Sequence, residues 1–285
     1  MICYYFSWVI KVNVEYQDKK GFYLYSHSID KVPTVANFKL HNHNNLNEIL
    51  ILLKGNCEFH AEGSVYSLNP FDAVVAHSDE MHRMRHKEPL SYYERIVINI
   101  HNGFFTKYDC VEFKKLFTSR PLGANNLIPS HLTVENNIIE IINNIDSTLS
   151  TDKNVPEIVV RSKIIELLYK LNKISPTSKN DNIQNVQLKK ILIYINENLT
   201  SPMTLESIAE KFYITKYHLC RIFKKQTGFS VNKYITHKRI LLVRELYSQG
   251  KTLLEASSEA GFGNYSNFYK IYKNETGKSP REDLH

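Results

Sequence analysis

Two stretches of this sequence decide its fold: TLESIAEKFYITKYHLCRIFKKQTGFS at residues 204–230 and TLLEASSEAGFGNYSNFYKIYKNETGKS at residues 252–279. The second stretch begins 48 residues after the first and matches it in pattern. Each has the apolar spacing of a short helix, then a tight turn, then a second helix that ends at a glycine. The sequence therefore predicts a tandem repeat of one two-helix unit.

Local signals set the boundaries of these helices. Thr204 and Thr252 stand where N-caps are preferred, and Glu255 completes a Thr-x-x-Glu capping box. Gly228 and Gly277 suit the left-handed position that follows a helix. We expect both units to begin at a threonine cap and to end at a glycine.

The second helix of each unit has two different faces. Leu219 and Phe223, and likewise Phe268 and Tyr272, are four residues apart and must face a core. The opposite face is rich in basic and aromatic side chains: Lys216, Tyr217, Arg221 and Lys225 in the first unit, and Tyr265, Ser266, Tyr269, Lys270 and Lys273 in the second. Such a face can donate hydrogen bonds to a polyanion.

This layout is typical of a helix–turn–helix that binds DNA. Its first helix braces the unit, and its second enters the major groove and contacts base edges. An arginine such as Arg221 can pair with guanine, while lysines and hydroxyls hold phosphates. Two units joined by a helix at 231–249 could reach successive major grooves about 34 Å apart. A plain helical bundle with solvated faces is the competing interpretation.

The charge distribution favours the DNA interpretation. The 285 residues include 36 Lys and Arg against 29 Asp and Glu, a net charge of +7. Residues 183–285 hold 16 of these cations and 9 of the anions, so the whole excess lies there and residues 1–182 are neutral. A basic segment beside a neutral one indicates that one domain meets a polyanion and the other has a different task.

Residues 186–280 resemble the DNA-binding domain of the AraC/XylS family of bacterial transcription regulators. The matching stretches are LESIAEKF (205–212), TKYHLCRIFKKQTGFS (215–230), YITHKRI (234–240) and EAGFGNYSNFYKIYKNETGKSP (259–280). The resemblance implies that the base-contacting positions are Tyr217, Cys220 and Arg221 in the first unit and Tyr265, Ser266, Tyr269 and Lys270 in the second. It also implies a small effector, commonly a sugar, and contact with RNA polymerase if the protein is an activator.

The second unit departs from the family pattern at several positions. Ala256 and Ser257 stand where the family usually has Ile-Ala, and Ala260 stands where it often has Val. We therefore expect looser packing of the bracing helix. Residues 282–285 (EDLH) follow Pro280 without the usual Tyr-Arg.

The first hundred residues read as short strands separated by turn signals, which predicts a sandwich or barrel. In YYERIVINI (92–100), Ile96, Ile98 and Ile100 share one strand face, and Arg95, Val97 and Asn99 share the other. Helical spacing follows at 134–149 and 157–174, and the two apolar faces could pack in the monomer, across a dimer, or both. The polar stretch 175–182 (SPTSKNDN) is the best boundary.

A second constellation lies among the strands: His41-x-His43-x4-Glu48-x6-Gly55. It resembles the first motif of the cupins, and His82 fits the histidine of the second motif, although Phe71, His77 and Asp79 replace the usual Gly, Pro and Gly. Three uses remain open for His41, His43, Glu48 and His82: lining an effector pocket, holding a divalent metal, or none, since the two histidines lie in an Asn-rich HNHNN run.

These observations predict an α+β protein. We expect a cupin-like, jelly-roll effector domain at 1–130, a helical dimerisation segment at 131–175, a linker at 176–185 and the DNA-binding domain at 186–285. The partners expected are double-stranded promoter DNA, a small effector and a second copy of the chain. No cofactor is expected. A metal-dependent cupin enzyme with a helical appendage, and a DNA-binding protein without an effector, are the competing classes.

Other classes are excluded by composition and pattern. No run of about 18 apolar residues is present, so no membrane span is expected. The four cysteines (Cys3, Cys57, Cys110 and Cys220) are scattered without CxxC or zinc-ligand spacing, which favours a reduced, cytoplasmic setting.

Overall fold

The computed structural model describes residues 11–32, 45–86, 90–175, 186–227 and 229–284. The chain forms two compact units, Met1–Asn182 and Ile183–His285. The first unit combines sheets with helices and the second is helical, which confirms the α+β class. Within the described part of the chain, no helix is both long enough and apolar enough to cross a bilayer.

Two antiparallel sheets make up the strand part of the first unit. The strands are β1 Lys11–Gln17, β2 Tyr23–Val32, β3 Leu46–Lys54, β4 Cys57–Ala61, β5 Ser64–Leu68, β6 Ala73–Ala76, β7 His82–His86, β8 Leu90–His101 and β9 Leu127–Ile128. The larger sheet has the order β1-β2-β8-β3-β6-β9, and the smaller has the order β5-β4-β7. Among the described strands the two sheets remain separate, so they form a sandwich and not a closed barrel.

The alternation predicted for β8 places its two faces in two different cores. Ile96, Ile98 and Ile100 are fully buried in the core that the larger sheet shares with helices. The other face of this sheet contributes Leu50 and Leu52 to a second core, which also contains residues of the smaller sheet. Because a strand covered on both faces cannot be predominantly polar, this explains the run of isoleucines and leucines in β3 and β8.

The described residues of the first unit also form six short or medium helical segments. They are α1 Asn102–Lys107, a 3-10 turn Val111–Lys114, α2 Lys115–Thr118, α3 Ser130–Glu135, α4 Ile138–Thr151 and α5 Glu157–Ile174. The single helix predicted at 134–149 is wrong at its start. Asn137 has φ of 59°, a left-handed conformation that interrupts the helical path between α3 and α4. The apolar faces of α4 and α5 pack on the larger sheet, as the buried Ile145 and Leu168 show.

A buried ion pair ties the segment that follows α2 to the turn before β7. Arg120 donates from Nη2 to Glu80 Oε2 at 2.7 Å and from Nη1 to Glu80 Oε1 at 3.0 Å. The same guanidinium donates to the carbonyl oxygens of Val75 and Ala124, each at 2.9 Å. Burial by itself raises the pKa of Glu80, but the charge and hydrogen bonds of Arg120, with further donors from Gly123 and Asn126, lower it to about 2.

The second unit contains seven helices in its described residues. They are α6 Val186–Glu197, α7 Leu205–Lys211, α8 Lys216–Thr227, α9 Val231–Ser248, α10 Leu253–Glu259, α11 Tyr265–Thr276 and α12 Pro280–Leu284. Both predicted caps are present, because the hydroxyls of Thr204 and Thr252 accept from backbone N–H groups three residues ahead. Gly277 has φ of 78°, as predicted, and Gly228 lies outside the described residues.

The bracing helix α10, for which looser packing is expected, has its small residues in the interior. Ala256 and Ala260 are fully buried, and Ser257 is almost so. At the C-terminal side, Asp283 Oδ2 accepts from Tyr272 Oη at 2.7 Å and from Arg244 Nη2 at 2.6 Å. This polar contact fixes α12 to α9 and α11 in a chain that lacks the usual Tyr-Arg.

Candidate nucleic-acid interface and polar interior site

The first candidate site is the outer face of α8. Leu219 and Phe223 are fully buried and fix the rotation of this helix in its unit. Its opposite face is therefore turned to solvent. Tyr217 on this face is 77% exposed. The predicted contact residues on this face are exposed, except for the half-buried Cys220: Lys216, Tyr217, Cys220, Arg221 and Lys225.

Helix α11 repeats this arrangement in the second unit. Phe268 and Tyr272 are fully buried and fix its rotation. Asn264 caps the helix by accepting from Asn267 N at 2.8 Å. The predicted contact residues of this face are exposed, except for the half-buried Tyr265: Tyr265, Ser266, Tyr269 and Lys270.

Two cations of α8 have neighbours that sequence reasoning did not anticipate. Lys216 Nζ lies 2.5 Å from Glu206 Oε1 of α7, with both side chains more than half exposed. Arg221 Nη2 lies 3.3 Å from His218 Nδ1. An exposed pair of this kind contributes little stability. The His218–Arg221 contact has the i, i+3 spacing of neighbours on a helix, whereas no spacing rule connects Lys216 with Glu206.

Helix α9 and its contacts set the arrangement of the two helix–turn–helix units within the helical unit. Its 18 residues correspond to about 27 Å of helix. Arg239 of α9 donates from Nε to Leu199 O and from Nη2 to Ser201 O, both at 2.9 Å. A Cβ on Gly261 would lie 2.8 Å from Thr200 O, so only glycine allows this close approach.

The second candidate site lies between the two sheets. Glu48 of β3 and His82 of β7 are both buried, and His82 Nε2 lies 3.5 Å from Glu48 Oε1. His82 Nδ1 donates to Glu80 O at 2.8 Å. Burial lowers the pKa of His82, but the hydrogen bond and charge of Glu48 outweigh burial and raise it. Asn99 is paired with Glu48 across the β3–β8 ladder, which places it on the same face.

The structure thus brings together two of the four residues predicted for this site. His41 and His43 lie outside the described residues. Among the described residues, no group of three or more His, Cys, Asp or Glu side chains is placed to hold a metal ion. The other two residues, Glu48 and His82, contact each other. The Glu48 carboxylate stabilises the charged form of the His82 ring.

Further polar groups line the same inner face and were missed in the sequence. Arg95 Nη1 lies 2.5 Å from Asp30 Oδ2, with both side chains largely buried. The His86 ring stands edge-on to the Tyr93 ring at a centroid distance of 4.4 Å, and burial lowers the pKa of His86 to about 4. These groups lie on strands distant in sequence, so only the strand pairing could have revealed them.

Comparison with known proteins finds matches to the helical unit and, at lower identity, to most of the chain. A family model described as a helix-turn-helix domain matches residues 208–284. The multiple antibiotic resistance protein MarA of Escherichia coli is 31% identical over 94 residues, which cover 33% of this chain and 74% of MarA. The transcriptional activator RhaS of Citrobacter koseri is 21% identical over 250 residues, which cover 85% and 86% of the two chains. The AraC-like transcriptional activator CuxR is a solved structure with 16% identity, covering 86% of this chain and 84% of its own, at a TM-score of 0.43.

Proposed function

We propose, from the premise that this chain belongs to the AraC family of transcriptional regulators, that α8 and α11 read two adjacent segments of a promoter. The family consists of DNA-binding regulators and not of enzymes. One observation carries the assignment to these two helices: in both units the same pair of helix positions is buried and the opposite, basic-aromatic face is exposed. Exposed faces of this kind fit the width of a major groove.

The two helices differ in what they offer to DNA. Arg221 is the arginine of α8, and its fork can pair with O6 and N7 of guanine. Helix α11 offers hydroxyls, amides and lysines, with no arginine in its sequence YSNFYKIYKNET. We therefore expect the first half-site to contain a guanine whose replacement is costly, and the second to be read by weaker contacts and by phosphates.

Selection of duplexes from a random pool, followed by affinity measurement, tests this assignment. Arg221→Ala should weaken binding to the selected duplex by about 1–3 kcal/mol and relax preference at one base pair, with little change on a scrambled duplex. Lys225→Ala should weaken both duplexes and reduce the slope of log K against log salt by about 1.

Lys153→Ala is the matched control, because it removes the same charge from an exposed position of the first unit. It should leave both affinities unchanged. Equal losses on selected and scrambled duplexes for Arg221→Ala would show that Arg221 only holds phosphate. Absence of any salt dependence in the wild type would overturn the proposed interface.

The first unit is proposed to be the sensor. Glu48 and His82 form a buried acid–base pair between the two sheets, near the Asp30–Arg95 pair, and a buried pair of this kind is weak evidence of a purely stabilising role. We propose a small polar effector near this pair, with a carbohydrate as the first candidate class.

Thermal unfolding with a panel of pentoses and hexoses tests the carbohydrate site. A sugar-induced rise in melting temperature that is absent in Glu48→Gln would support the site, and no response to any sugar would reject the carbohydrate class.

Two further properties are proposed, the oligomeric state of the protein and its location in the cell. We propose a cytoplasmic homodimer formed through α4 and α5, which contacts RNA polymerase if it acts as an activator. Ile158 and Val159 of α5 are 57% and 37% exposed, and such apolar exposure favours an interface. Light scattering of Ile158→Glu should then show a lower mass than the wild type. Equal masses would place any dimer interface elsewhere.

A further inference from the structure

An ionic cluster joins the outer face of the larger sheet to α4. His27 of β2 has Nδ1 2.8 Å from Asp146 Oδ2 of α4 and Nε2 2.9 Å from Glu94 Oε1 of β8. The three side chains are only 14%, 19% and 22% exposed. Tyr25 completes the cluster, because its hydroxyl donates to Asp146 Oδ1 at 2.7 Å. Three elements therefore meet at one imidazole.

The two contacts of the ring require two protons. Carboxylate oxygens only accept hydrogen bonds, and a neutral imidazole carries a single N–H. If His27 is neutral, one of its nitrogens presents a lone pair to a carboxylate. Only the imidazolium donates to Asp146 and Glu94 together, and it also halves the net negative charge of the cluster.

The groups that face the ring all favour this charged form. The charged groups acting on it among the described residues are Asp146 from α4 and Glu94 from β8. Strand β1 presents Val14, the register partner of His27. The hydrogen bond to Asp146 raises the pKa of His27, burial opposes it, and Glu94 raises it further, so the result is a raised pKa.

We infer that His27 is a proton-operated clamp that holds α4 against the sheet when protonated and releases it when neutral. Apart from the hydrogen bond from Tyr25 to Asp146, α4 contacts this core through apolar residues such as Ile141 and Ile145, and the apolar contacts do not depend on pH. Deprotonation therefore loosens the helix without unfolding the unit. The clamp does not rest on the function proposed above.

The direction of the pH effect follows from the raised pKa. A histidine whose folded pKa exceeds its unfolded value stabilises the folded state fully below the unfolded value, about 6.5. That stabilisation is lost as pH rises through the folded pKa. The clamp is therefore closed in mildly acidic conditions and opens on the alkaline side of 6.5.

Hydrogen exchange of the full chain between pH 6 and pH 9 tests the clamp. After correction for the intrinsic pH dependence of exchange, protection of residues 138–151 should fall by about tenfold as pH rises, the factor that loss of one charge-assisted hydrogen bond corresponds to. His27→Gln should abolish this dependence. His131→Gln, at an exposed histidine of α3, is the matched control and should preserve it.

Two results would overturn the inference: protection of α4 that does not change with pH in the wild type, or the same change in His27→Gln. If His27→Gln does not fold, NMR titration of His27 in the wild type decides, since the clamp requires a midpoint above 6.5. DNA affinity measured in parallel separates the two proposals. A working clamp in a chain that fails to bind DNA would refute the interface and leave the clamp intact.

Discussion

Replacement of Arg120 by methionine should destabilise the N-terminal unit more than any change at the surface. Methionine keeps most of the apolar stem but removes the donors to Glu80, Val75 and Ala124. The Glu80 side chain is completely buried and that of Arg120 is 4% exposed. After the substitution, a carboxylate remains in an apolar setting without its cation.

The magnitude follows from the cost of an uncompensated buried charge. Removing one partner of a buried ion pair costs about 3–5 kcal/mol, which is a large part of a total stability of about 5–15 kcal/mol. Neutralising the remaining partner should recover part of the loss. We therefore expect Arg120→Met/Glu80→Gln to be more stable than Arg120→Met by about 1–2 kcal/mol, because the amide of Gln still accepts from Gly123 and needs no counter-ion.

Urea-dependent hydrogen exchange of β3 and β8, two central strands of the larger sheet, measures these differences for the first unit alone. Arg161→Met is the matched control, since the Arg161–Glu157 pair of α5 is partly exposed and its loss should cost less than about 1 kcal/mol. A cost for Arg120→Met no larger than that of the control would refute the reasoning, as would a double variant less stable than the single one.

Two further substitutions test the backbone features of each unit. Gly123→Ala should cost about 1–3 kcal/mol in the same urea assay, because Gly123 has φ of 76° and an added Cβ would lie 2.7 Å from Glu62 Cβ; an unchanged midpoint would contradict the described turn. Thr252→Ala should lower the stability of the helical unit by about 1 kcal/mol in thermal unfolding followed by circular dichroism, since α10 loses its cap, and Thr252→Ser should restore it. Equal melting temperatures for the Ala and Ser variants would show that the cap is not used.

The helical unit could be predicted almost completely from the sequence. The four helices of the repeat are short, and the repeat gives their boundaries twice, whereas α12 has no counterpart in the repeat and was not predicted. The interruption at Asn137 could not be predicted. The helical spacing of apolar residues runs from 134 to 149 without a break, and no glycine signals the left-handed conformation that Asn137 adopts. Capping by Ser207 was missed for a similar reason, since the expected reciprocal partner is Glu or Gln.

The polar sites of the sandwich were predicted only where a motif named them. Glu48 and His82 were expected together on the cupin pattern, and they do contact each other. The pairs Asp30–Arg95 and His27–Asp146 join residues 65 and 119 positions apart, and no spacing rule connects them. Their proximity depends on strand register and on the docking of α4, which are set by the apolar cores.

The contacts of Arg239 and Gly261 with residues 199–201 have a consequence for the proposed binding of DNA. Since α9 and these contacts hold the two helix–turn–helix units together, the span between α8 and α11 is set before DNA is bound. One base pair inserted between the half-sites turns the second half-site by about 34° around the duplex axis, because a turn contains about 10.5 base pairs. If α8 and α11 read DNA as proposed, we expect affinity to depend on helical phase as well as on sequence, because an operator with the right bases at the wrong spacing turns one half-site away from its helix.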